Sequence, residues 1–97
     1  MKKPIRLKHL LNTAFTELGI DKEIKKWELV RDFKLIVGES IGQHTQAYRI
    51  ADEVIYIKVD NPVWLSQLYL IKDEIIKKLN QYIGDDLVKD IKFSITS

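Results

Sequence analysis

Apolar residues recur along this chain at two different periods, and the points where the period changes divide it into elements. Leu7, Leu10, Leu11, Ala14, Phe15 and Leu18 fall on one helical face, with Lys8, Asn12, Thr13 and Glu17 elsewhere and Gly19 behind them. That spacing predicts a short amphipathic helix. Asp21 is placed to cap a second helix, in which Ile24, Trp27, Val30, Phe33 and Ile36 or Val37 face inward. Gly38 breaks or kinks it, and Glu39 to His44, with Ser40, Gly42 and Gln43 around a single Ile41, reads as a short helical turn.

The period then falls to two. Tyr48 and Ile50 alternate with Ala47 and Arg49, and Ile55, Ile57 and Val59 alternate with Val54, Tyr56 and Lys58, which predicts two strands meeting at Asp52-Glu53. If Ile50 lies opposite Ile55, Tyr48 lies opposite Ile57, Arg49 lies opposite Tyr56, and the inward residues share one face. Asp-Glu lacks the glycine favoured in a type I′ turn, so a longer loop also fits.

Asp60-Asn61-Pro62 then opens a helix: Asp60 or Asn61 can cap free N–H groups, and Pro62 suits the first turn. Apolar residues from Trp64 through Leu68, Ile71, Ile75 and Leu79 to Tyr82 predict one continuous helix as far as Gly84. Ile91, Phe93 and Ile95 alternate with Lys92, Ser94 and Thr96 as a third strand.

The expected order is α-α-β-β-α-β, an α+β two-layer sandwich with helices packed on one face of a three-stranded sheet. A crossover from the second strand is expected to set the third beside the first, in the order 2-1-3 with antiparallel neighbours. Residues 1–97 form a single domain, with no repeat, linker or low-complexity segment.

Sixteen basic and fourteen acidic residues leave a net charge of +2, too mild to require a nucleic-acid partner by itself. The distribution of charge has to decide. Without cysteine there is no disulfide, thiol nucleophile or thiolate zinc site. No apolar run approaches the roughly 18 residues of a membrane span, and Met1 to Arg6 leads into an amphipathic pattern, so a cytoplasmic protein is expected.

Several spaced residues together resemble the DciA family of bacterial replicative-helicase loaders. They are Phe33 ahead of Val37-Gly38, Ile41, His44-Thr45, the Val54 to Val59 strand, Pro62-x-Trp64 with Gln67-Leu68, Leu79-Asn80 with Ile83-Gly84, and Ile91-Lys92-Phe93. The resemblance implies a KH-like domain that assists loading of the DnaB-type helicase at replication initiation, binds DNA and hydrolyses no nucleotide. This chain departs from the family pattern in three ways. Phe33 stands where tryptophan is usual, Asp52-Glu53 where a hairpin glycine is common, and the 97 residues are expected to carry almost none of the long extension that many members use on the helicase. The GXXG loop of RNA-binding KH domains is missing, because Gly38 and Gly42 are separated by three residues.

Nucleic-acid binding also has support from the residues alone. Arg49, Tyr56, Lys58 and Lys92 share the expected outer sheet face, offering cations to phosphates and a ring to an unpaired base. The alternative is an ordinary solvated face with Arg49 resting on Tyr56. Lys2, Lys3, Arg6 and Lys8, beside His9, form a second basic cluster with the same two readings. Lys72, Lys77 and Lys78 are interleaved with Asp73 and Glu74 and read as a solvated helix face.

Trp27, Phe15 and Trp64 read first as core; Trp27, among Lys25, Lys26 and Glu28, is also a candidate anchor for a protein partner. His44 and His9 have no ligand spacing, the acidic pairs 52–53 and 85–86 fall at turns, and no P-loop, nucleophile elbow or dinucleotide fingerprint occurs. The expectation is a non-enzyme without cofactor, metal, small-molecule substrate or membrane contact, whose partners are the helicase and single-stranded DNA. An RNA-binding KH-like module and a protein adaptor without nucleic-acid affinity are the alternatives.

Overall fold

The computed structural model describes residues 19–96. In chain order they form α1 (Ile20–Val37), α2 (Glu39–Gly42), β1 (Thr45–Ala51), β2 (Val54–Val59), α3 (Pro62–Leu70), α4 (Lys72–Ile83) and β3 (Asp90–Ile95). The helix expected over Leu7 to Leu18 and the basic cluster Lys2, Lys3, Arg6 and Lys8 lie outside the described residues. The architecture is the expected α+β sandwich. Ile55, Ile57, Val59, Ile91 and Phe93 of the sheet meet Leu29, Phe33, Leu68, Ile75 and Leu79 of the helices in one core.

The apolar face of α1 is rotated from the one expected. Leu29, Phe33 and Val37, four residues apart, are buried, while Ile24 is exposed and Trp27 is 75% exposed. Apolar residues occupy more than one face of this helix, so periodicity alone does not choose between them. The choice falls to the face that meets β1 and α4. At the end of α1, Gly38 adopts φ 97° and ψ 166°, a conformation almost confined to glycine. The bend lets α2 start at once, with the Gly42 N–H donating to the Gly38 carbonyl at 2.8 Å. Gly42 is buried against α1, where an added Cβ would lie 3.1 Å from that of Lys34.

The β1–β2 hairpin closes in two residues after all, with Asp52 and Glu53 both at positive φ, 51° and 66°. Tertiary bonds hold this glycine-free turn in place: the Glu53 carbonyl accepts from Lys89 N–H at 2.8 Å and Asp90 N–H at 3.3 Å. The register matches expectation at Ile50↔Ile55 and Arg49↔Tyr56, then slips, so that Ala47 rather than Tyr48 faces Ile57. Tyr48 is the extra residue of a β-bulge, which reverses the phase of the strand beyond it. Thr45 and Ala47 therefore point inward, and Tyr48 is exposed rather than buried.

The helix expected in one piece from Pro62 to Gly84 is two. Asn61 caps α3 by accepting from the Trp64 N–H at 2.9 Å, Pro62 occupies its first turn, and Gly84 ends α4 in the left-handed conformation. Between them Ile71 leaves helical geometry at φ −111° and ψ 17°. Neither proline nor glycine marks the break; α3 packs against β2 and β3 whereas α4 packs against α1, and one straight rod does not serve both directions.

Strand order is β1-β2-β3, with β3 parallel to β2, in place of the expected 2-1-3 with antiparallel neighbours. Packing of α1 on β1 places that helix at the β1 side, and α3 and α4 carry the chain back along the other side. The chain arrives beside the start of β2, where Asp90 pairs with Val54. Asn80 secures the return. Its amide accepts from the Val88 N–H at 2.9 Å and donates to the Val88 carbonyl at 2.9 Å, so a single side chain takes the place of a strand partner for that residue.

Candidate nucleic-acid interface

Because the described helices lie on the inner face, the outer face of the sheet carries the other half of each strand's side chains. Register sets them in two rows: Arg49, Tyr56 and Lys92 across the three strands, and Gln46, Lys58 and Ser94 in the next. The four sheet residues expected to share this face do share it. Tyr48, displaced outward by the bulge, joins them.

Cations and rings interleave on this surface. The Arg49 guanidinium carbon lies 4.4 Å from the centre of the Tyr56 ring, and Lys58 Nζ lies 5.1 Å from that of Tyr48. The two tyrosine rings are 6.2 Å apart and tilted by 48°. A cation over an aromatic face is held by the ring's quadrupole at about 0.5–1 kcal/mol when exposed, and it keeps its charge available to an anion. No carboxylate among the described residues forms an ion pair with Arg49, Lys58 or Lys92. Acidic residues stand at the ends of the strands: Asp52 and Glu53 in the hairpin turn, Asp60 after β2, and Asp90 at the start of β3, where it pairs with Lys72 of α4 at 3.0 Å.

His44 and Asp60 clip the opposite corner of the fold. The His44 Nδ1 is 3.0 Å from the Asp60 carboxylate, its ring stacks on Trp64 at 4.6 Å, and Asn61, which caps α3, also donates to Asp60 at 3.2 Å. These contacts tie the start of β1 and the end of β2 to α3. The arrangement supports a structural role for His44, as the sequence led us to expect.

The acidic pair at the end of α4 is likewise taken up by the fold. Asp85 pairs with Lys25 at 3.2 Å, which holds its carboxyl below the usual range, and Asp86 pairs with Lys89 at 2.6 Å. Across α1 and α4, Asp32 accepts from Arg31 at 2.9 Å and from the Tyr82 hydroxyl at 2.7 Å, and its carboxyl falls to about 2 as a result, chiefly through Arg31. No group of three or more metal-ligating side chains occurs among the described residues, and no described helix is long and apolar enough to cross a membrane.

The helical side has a different character. From Pro62 to Ile71 there is no charged residue, yet Val63 and Leu70 are 72% and 80% exposed and Tyr69 is half exposed. Trp27 stands at the margin between the two sides, beside Tyr48 and Arg49. Sequence reasoning missed the place of Tyr48. Its signal, a tyrosine next to an arginine on a two-residue period, cannot show a bulge.

The family model described as Dna[CI] antecedent, DciA, matches residues 6–93. A UPF0232 protein of Streptomyces avermitilis is 26% identical over 93 residues, covering 94% of this chain and 51% of the relative. A UPF0232 protein of Corynebacterium glutamicum is 23% identical over 83 residues, covering 86% and 47%. One from Mycobacterium tuberculosis is 24% identical over 76 residues, covering 78% and 41%. The chain spans about half the length of the curated relatives it matches.

Proposed function

The chain belongs to the DciA family, and from that premise we propose that it is a non-enzymatic accessory factor of bacterial DNA replication. It binds the DnaB-type replicative helicase and holds single-stranded DNA while the helicase ring is loaded. The observation that carries the DNA half is the outer sheet face, where Arg49, Lys58 and Lys92 form no ion pair among the described residues and interleave with Tyr48 and Tyr56. Such a surface suits a strand whose phosphates meet cations and whose unpaired bases meet rings.

The mechanism is positioning rather than bond-making. Basic side chains raise the local concentration of DNA, and a second contact to the helicase makes the meeting of ring and strand effectively intramolecular. The uncharged outer side of α3, with Val63 and Leu70 in solvent, is the surface best suited to the protein contact, because it offers phosphate nothing. An adaptor that uses only this surface is the competing reading.

Fluorescence anisotropy with a labelled single strand across a salt series tests the DNA half. Wild-type binding weakens steeply with salt, and Arg49→Glu and Lys58→Glu each weaken it further at low salt. Unchanged binding in both variants removes the sheet face from the reading. Preference for RNA over DNA of equal sequence selects an RNA-binding module instead. Light scattering of the chain mixed with the helicase tests the other half: a co-migrating complex supports it, and separate peaks at low and moderate salt overturn it.

A further inference from the structure

The Trp27 indole stands where α1 runs beside β1. With Glu23, Lys26, Val30, Tyr48 and Arg49 it borders a notch of about 180 Å³. Pockets that enclose whole small-molecule ligands run to roughly 300–1,000 Å³, so this one admits a flat group rather than a complete cofactor. Two of its walls, Tyr48 and Arg49, belong to the interleaved cluster of the sheet face. Notch and face are therefore one continuous surface.

Their chemistry differs in a way that fits the two parts of a nucleotide. The sheet face offers cations that no carboxylate among the described residues pairs with. At the rim of the notch Lys26 lies 3.0 Å from Glu23, so that pair cancels in charge while still presenting both a donor and an acceptor. That side of the rim, neutral and next to an exposed indole, does little for a phosphate and much for an aromatic plane with polar edges.

We propose that the Trp27 notch receives an unpaired nucleobase of the strand whose phosphates lie along Arg49 and Lys58. This rests on the sheet-face reading above and adds a selectivity to it. A duplex can lay phosphates on the face, but its bases are paired and stacked; the notch is filled only by a single strand or a frayed end.

The test uses Trp27→Ala and Trp27→Phe with three probes: a thymidine oligomer, an abasic oligomer of equal length, and a duplex. Trp27 is largely exposed, so neither substitution threatens the core. We expect Trp27→Ala to weaken binding of the thymidine oligomer roughly tenfold, equivalent to about 1.4 kcal/mol, with the salt slope unchanged. Trp27→Phe restores most of the loss, while abasic oligomer and duplex bind wild type and variants alike. In a Trp64→Phe background, Trp27 emission is quenched by the thymidine oligomer and not by the abasic one. A uridine oligomer quenches it as well, because the base plane is common to both, and its relative affinity tells RNA from DNA.

Wild-type affinity of Trp27→Ala for the thymidine oligomer, with Arg49→Glu still impaired, overturns the notch and leaves the sheet face standing. If wild type binds no oligomer, both fall. Loss of helicase association in Trp27→Ala at unchanged oligomer affinity reassigns the indole to a protein contact and overturns the proposal.

Discussion

On the helical layer and its loops, many basic side chains are held by carboxylates: Lys25 by Asp85, Lys26 by Glu23, Arg31 by Asp32 and Lys89 by Asp86. On the outer sheet face, Arg49 and Lys58 lie over tyrosine rings instead. The residue types are the same and the consequence is opposite. A carboxylate cancels the field of its cation, in exchange for a contribution of about 0–1 kcal/mol at the surface. A ring orients the cation and leaves its field intact. The net charge of +2 therefore understates what the sheet can attract, because the cancelled charges lie elsewhere.

The largest effect should come from reversing the ring-held cations. Arg49→Glu with Lys58→Glu should lower affinity for single-stranded DNA roughly a hundredfold at low salt and flatten the salt dependence. The matching reversal of carboxylate-held cations, Lys25→Glu with Lys89→Glu, should change it by no more than about twofold. Equal losses in the two pairs, read by anisotropy, would erase the distinction drawn between the layers.

A second variant separates stability from binding. Asn80→Ala leaves both backbone groups of Val88 without their side-chain partner, and should cost about 2 kcal/mol in chemical denaturation. DNA affinity of the folded variant should stay at the wild-type value, since Asn80 lies away from the outer sheet face. An affinity loss would show that the face depends on the β3 approach.

Acid should loosen the helical layer. The Asp32 carboxyl lies at about 2 in the folded chain, against an ordinary 3.8. Its folded value is depressed, so its stabilising contribution is complete above the ordinary value and is lost as pH falls from about 4 to about 2. Asp85, through Lys25, and Asp90, through Lys72 at 3.0 Å, shift in the same direction. Asp32→Asn should flatten stability across that window, as measured by thermal unfolding at a series of pH values. A slope identical to wild type would exclude Asp32 as a contributor.

The smallest effect is a gain. Glu53 sits at φ 66° without being glycine, and Glu53→Gly should raise stability by about 0.5–1 kcal/mol with DNA affinity unchanged. A lower melting temperature would mean that the side chain contributes more than the backbone strain removes.

Much of the fold was legible because its signals are local. The Asn61 cap, Pro62 in the first turn, Gly84 at the close of α4 and the alternation through Ile55, Ile57 and Val59 each act within a few residues. Four residues of the candidate face, Arg49, Tyr56, Lys58 and Lys92, were legible for the same reason. Period two assigns them to the face opposite Ile55, Ile57, Ile91 and Phe93. Tyr48 was not, because one bulged residue reverses the alternation without leaving a mark in composition.

Caps, turns and periodicity are short-range physics, and they were enough to read most of the described elements, the two-layer class, and the cations and Tyr56 of the outer face. Tertiary structure decided which side of α1 is buried, where the long helix breaks at Ile71, and that β3 lies parallel to β2. It also decided that Trp27 stands beside Tyr48 and Arg49. Each of these depends on which surface meets which. Trp27 and Tyr48 are 21 positions apart, and only the packing of α1 on β1 brings them to one notch.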